Sequence, residues 1–163
     1  MLNISELSQG IEEVEFLFLV ILAIIEIGID FLFAHKRNYQ DTVVNIAIAI
    51  VYSITSTTII YLVVLAGLSF FSQFSFSKIP SNGWTLILAV IIADFIYYWE
   101  HRTEHRIRFF WAYHNVHHSS TDYNLTVASR LSWVETCFLW IFYIPMALLG
   151  FDPLLILIAV QID

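Results

Sequence analysis

Four long apolar runs constrain this chain more than any other feature. They cover about 16–34, 43–71, 84–100 and 134–150, and only short polar segments separate them. A bilayer needs about 20 apolar residues per helical crossing, and lipid offers no partner for an unpaired backbone N–H or C=O. Runs of this length therefore predict an all-α, multi-span integral membrane protein. Composition agrees: 59% of residues are apolar and 13% charged, against roughly 45–50% and 25% in soluble proteins. The formal charge of −7 speaks against nucleic acid as a partner. Cys137 is the only cysteine, which excludes an intrachain disulfide and a cysteine-based metal framework.

The first run carries Glu26 and Asp30 one helical turn apart, so one of its faces is not meant for lipid. No cleavable signal peptide is expected, because the run follows acidic residues and lacks a basic leader. The second run is longer than a crossing requires. Thr55, Ser56, Thr57 and Thr58 at its middle predict a bend or a polar helix contact. Lys78, Pro80, Asn82 and Gly83 mark a loop, and Trp84 anchors the third span at an interface. Asp152 and Pro153 predict a turn and the start of a new helix. The remaining ten residues read as the start of a fifth span in a longer protein; a short re-entrant hairpin is the alternative. Lys36, Arg37, Arg102, Arg106, Arg108 and Arg130 fall on one predicted side and Lys78 on the other. The positive-inside rule makes the first side cytoplasmic, in a bacterial inner membrane or the endoplasmic reticulum.

On that side lie five histidines within eighteen residues. HRTEH supplies His101 and His105; HNVHH supplies His114, His117 and His118. Helical spacing turns each set to one face. Neutral imidazole is the commonest ligand for zinc, iron and copper, and five exceed what one tetrahedral ion needs. A multi-metal or redox-metal site follows. His35 stands apart and is expected to bind no metal. Asp94 shares a helical stripe with His101 but lies about 10 Å along the axis, so its expected role is to orient a ligand or line the cavity. Tyr97, Tyr98 and Trp99 suit the interfacial belt, and Arg102, Arg106 and Arg108 suit lipid headgroups. HRTEH also fits H-x-x-E-H, in which Glu104 would be the general base of a zinc hydrolase.

The run DFIYYWEHRTEHRIRFFWAYHNVHHSSTDYNL, 94–125, with Arg130 and Ser132 beyond it, resembles the fatty acid hydroxylase/sterol desaturase superfamily. It is most similar to the alkylglycerol monooxygenase-like branch. The resemblance implies a membrane-bound di-iron oxygenase, whether hydroxylase, desaturase or monooxygenase, that oxidises a lipid C–H bond. It implies His101, His105, His114, His117 and His118 as iron ligands, and a third histidine box that would follow a fifth span. It implies a lipid substrate arriving from the bilayer, and an external electron donor or tetrahydrobiopterin. A catalytically silent, truncated membrane protein is the competing reading.

Overall fold

A computed structural model describes residues 4–33 and 36–163, and among them the regular structure is entirely helical. Helix α1 covers Ile4–Leu32 and α2 covers Tyr39–Ile59. A π-turn, Ile60–Val64, joins α2 without a break to α3, Leu65–Ser72. It follows directly on the Thr55–Thr58 cluster, where the sequence predicts a bend, and π-turns are a recognised cause of helix distortion. Thr55 Oγ1 bonds back to the Val51 carbonyl at 2.7 Å, so the hydroxyl is satisfied within its own helix.

Helix α4 runs Gly83–Glu104, about 33 Å at 1.5 Å per residue. Asn82 caps it by accepting from the backbone of Trp84 and Thr85, while Thr85 returns the bond to Asn82 N. Helix α5 covers Arg108–His114, α6 covers Trp133–Leu149 and α7 covers Pro153–Ile162. Asp152 caps α7 and Pro153 occupies its first turn, as the sequence predicts. Among the described residues, one helix is long and apolar enough to cross a membrane, Gly83–Glu104. α6 and α7 are shorter, with 17 and 10 residues.

The core lies where α3, α4, α6 and α7 meet. Val64, Leu68, Ala89, Ala93, Tyr143, Met146, Ala147, Ile156 and Ala159 are buried there. Ala89 and Ala93 stand one turn apart on α4, and alanines at such spacing let neighbouring backbones approach closely. Gly67 serves the same end: a Cβ there would meet the Trp140 ring at 2.8 Å. The outward faces are apolar, with Phe31, Trp84, Ile91 and Phe95 exposed, an arrangement that marks a surface made for lipid or another apolar partner.

The two ends of the bundle differ. At one end, the loop before α4 pairs with the turn between α6 and α7, through Phe76 N to Leu148 O at 2.9 Å and Ile79 N to Gly150 O at 3.0 Å. Lys78 belongs to this end. Gly150 closes α6 at φ 101°, and a Cβ there would lie 2.2 Å from the Ser77 carbonyl oxygen. At the other end, the α1–α2 connection meets the segment after α5: Asn38 N donates to Asp122 at 3.0 Å, and Leu125 N donates to Glu26. Lys36 and the histidine segment therefore share an end of the molecule. His35 lies outside the described residues.

Candidate metal centre

The last two turns of α4 carry Glu100, His101, Glu104 and His105. The helix stops at His105, and the chain turns through Arg106 and Ile107 into α5. That reversal lays His114, the last residue of α5, back against α4. A short 3₁₀ turn, His117–Ser119, then carries His117 and His118.

Four imidazoles converge. His101 Nε2 and His105 Nε2 are 3.1 Å apart, and His114 Nε2 and His118 Nε2 are 3.2 Å apart. Ring centroids of His101 and His114, and of His105 and His118, are 4.8 Å apart. Ligand nitrogens of all four lie within 4.8 Å of one another. A tetrahedral ion with bonds of 2.0–2.1 Å has nitrogen–nitrogen edges of about 3.3 Å, so the four residues fit a bound metal. His114 is buried, His101 half-buried, and His105 and His118 are exposed, so the cluster opens on one side. Trp111 stacks over His118 at 5.7 Å and Tyr97 stands 5.7 Å from His101.

His117 is adjacent but outside this group of four. Its ring lies 5.0 Å from His118 and 5.9 Å from His114, and its Nδ1 is buried without a hydrogen-bond partner. The difference from the sequence expectation comes from the helix ending at His114, which breaks the uniform i, i+3, i+4 face. Asp94 is exposed and hydrogen-bonded to the Asp163 side chain, two turns along α4 from the histidines.

At His114 and His118 the environment favours the neutral imidazole, the form that binds metal. Burial, followed by the proximity of His101, His105, His118 and His117, pushes His114 down to about 4. Burial and then His117 and His105 lower His118 as well.

Behind His114 is a layer of carboxylates. Glu104 Oε2 lies 2.9 Å from His114 Nδ1 and Glu135 Oε1 lies 3.7 Å from the same nitrogen. Glu104 and Glu100 are buried, and they bond the hydroxyls of Tyr113 and Tyr143 respectively. Glu104 is thus on the Nδ1 side of His114 and outside the group of four Nε2 ligands. The sequence signal for this layer was available: Glu100 and Glu104 form a stripe beside His101 and His105. Glu135 arrives from the start of α6, and nothing local to it signals the contact.

A polar lattice holds the second box to α1 and α2. Arg130 donates to the Val116 carbonyl at 3.0 Å, to Ser119 Oγ at 2.7 Å and to Asn45 Oδ1 at 2.7 Å, and reaches Asp41 at 3.4 Å. Ser120 donates to Asp41, and Asn45 donates to Thr126 at 3.0 Å. Arg37 pairs with Glu26 at 2.9 Å and Asp30 at 2.7 Å. The two acids on α1 therefore face Arg37, and Glu26 also accepts from Leu125 N.

Comparison with known proteins bears on the same segment. The family model described as fatty acid hydroxylase matches residues 86–162, which include both histidine boxes and Glu135. Over these residues the chain is similar to the fatty acid hydroxylase family. Alkylglycerol monooxygenase of Xenopus tropicalis is 52% identical over 64 residues, 39% of this chain and 14% of that protein. The Danio rerio protein of that name is 46% identical over 78 residues, 47% of this chain and 18% of its own length. The Homo sapiens protein is 49% identical over 65 residues, 40% of this chain and 15% of its own. The similarity thus falls in the alkylglycerol monooxygenase-like branch, and the matched stretch spans less than a fifth of each of these relatives. No solved structure matches the chain.

Proposed function

We propose that the chain forms part of a membrane-bound di-iron oxygenase that oxidises a C–H bond of a lipid. The convergence of His101, His105, His114 and His118 on one point carries this reading. Iron bound there would supply the redox chemistry that O₂-dependent C–H oxidation requires. Iron accepts five or six ligands, so four imidazoles leave coordination positions free. His117, with its unpartnered nitrogen, belongs on this reading to the second iron.

The protein's own contribution is placement. Two helical segments hold the imidazoles mutually oriented, while Trp111 and Tyr97 wall the centre. The apolar flank of α4 gives a lipid chain a path alongside the helix that ends in the first box. Arg102, Arg106 and Arg108, all exposed at that end, suit an anionic headgroup or an acidic electron donor. Electrons come from an external donor or from tetrahydrobiopterin. The basic residues at the histidine end favour a cytoplasmic orientation.

The test is metal content. The protein purified in detergent, stripped and reloaded anaerobically with ferrous iron, is expected to retain at least one iron per chain. His105→Ala and His114→Ala should lose it. An iron ratio near zero for the wild type would support the silent alternative. Preferential retention of zinc with O₂-independent hydrolysis would support the hydrolase.

A further inference from the structure

Glu104 has no task in the metal-binding scheme above, yet it is among the most deeply buried charged side chains of the molecule, 2% exposed. Burying a carboxylate without a purpose is unfavourable by several kcal/mol, so its surroundings carry information. Tyr113 donates its hydroxyl to Glu104, which fixes the carboxylate between α4 and α5. The next residue, His114, brings Nδ1 to within 2.9 Å of Glu104 Oε2. The opposite nitrogen of the same ring, Nε2, is 3.2 Å from His118 Nε2. His114 is thus held between a carboxylate on one edge and the metal-ligand group on the other. His114 Nδ1 is buried with no aligned hydrogen-bond partner, and Glu104 Oε2 at 2.9 Å is nearer to it than Glu135 Oε1 at 3.7 Å.

We propose that Glu104 is the positioning residue for His114: its carboxylate accepts the Nδ1 proton, commits the ring to one tautomer and aims the Nε2 lone pair at the metal. The inference rests on the metal-centre reading above and adds to it. It also gives the HRTEH sequence a purpose other than hydrolysis. In H-x-x-E-H zinc hydrolases the glutamate must reach a metal-bound water; here it lies on the Nδ1 edge of His114, apart from the four histidines and in a separate potential ligand group with His114 and Glu135. Carboxylate–histidine pairs of this kind orient the ligand and raise its basicity, and their loss weakens metal binding about 10–100-fold. Glu135, at 3.7 Å from the same nitrogen, is too distant for the primary bond.

The probe is cobalt(II), read by its visible absorption and by competition with a chelator, on the full chain in detergent. Glu104→Gln preserves shape and an acceptor oxygen but removes the charge; Glu104→Ala removes both. Cobalt affinity is expected to fall in the order wild type, Glu104→Gln, Glu104→Ala, with the last about 10–100-fold weaker and its absorption band displaced. Circular dichroism of each variant reports whether it folds. Wild-type protein that binds no cobalt would overturn the metal-centre reading itself. Wild-type protein that binds cobalt, with Glu104→Gln matching it in affinity and spectrum, would assign Glu104 a packing role and overturn the inference alone. Two ions in the wild type, one of them lost in Glu104→Ala with the remaining spectrum unchanged, would make Glu104 and Glu135 a second cation site and also overturn it.

Discussion

Arg130 offers the sharpest test of how the second histidine box is held. The residue lies eleven to fourteen positions beyond the segment it fixes, and its guanidinium is about nine-tenths buried. Arg130→Met keeps the length and apolar stem of the side chain but removes every donor. The Val116 carbonyl, Ser119 Oγ and Asn45 Oδ1 then lose partners at 3.0, 2.7 and 2.7 Å. Hydrogen bonds to a charged group contribute about 1.5–3 kcal/mol each. They are not additive here because one guanidinium makes all three, and breaking a buried charged network typically costs about 3–5 kcal/mol. The Asp41 contact, at 3.4 Å, is left out of that figure. The loss is local: Val116 and Ser119 flank His117 and His118, whereas α4 keeps its own packing. Hydrogen–deuterium exchange in detergent should therefore accelerate by two orders of magnitude or more over 116–120, with little change over 84–100. A protein whose 116–120 amides exchange at the wild-type rate in Arg130→Met would refute the idea that this arginine sets the box.

Gly150→Ala forces a left-handed residue to carry a Cβ 2.2 Å from the Ser77 carbonyl; a loss of about 1–3 kcal/mol is expected, seen as a lower midpoint in thermal melts, and an unchanged midpoint would contradict it. Metal-free protein should lose stability as pH falls from about 6.5 towards 4. In that window the unfolded chain takes up a proton on His114 that the folded chain excludes, so protonation favours unfolding; a denaturation midpoint flat across it would count against the burial of this ring. Cysteines introduced singly at Lys36, Lys78 and Asn115, with Cys137 replaced by serine, report topology. Positions 36 and 115 should label from one side of the membrane and position 78 from the other, and labelling of 36 and 115 from opposite sides would overturn the shared end seen in the fold.

What the sequence by itself determined was local. Apolar runs implied helices, Asp152 and Pro153 marked a helix start, and four-residue spacing set His101 beside His105. Each of these depends on neighbours within one or two turns, where helical geometry alone decides which side chains meet. The motif in 94–125 carried the family for the same reason, since its chemistry is written in one contiguous stretch. The tertiary structure decided everything that required two distant segments to touch. The break at Arg106 and Ile107 folds one box onto the other, and the end of α5 at His114 leaves His117 outside the group of four. Asp94, which shares a stripe with His101, faces Asp163 instead of the histidines. Glu104 turns towards His114 Nδ1, with Glu135 arriving from a later helix, and Asn45 meets Arg130 across 85 positions of chain. No periodicity encodes such contacts. They arise because buried charges and orphaned carbonyls must find partners wherever packing brings them, and only the packed molecule shows which ones they found.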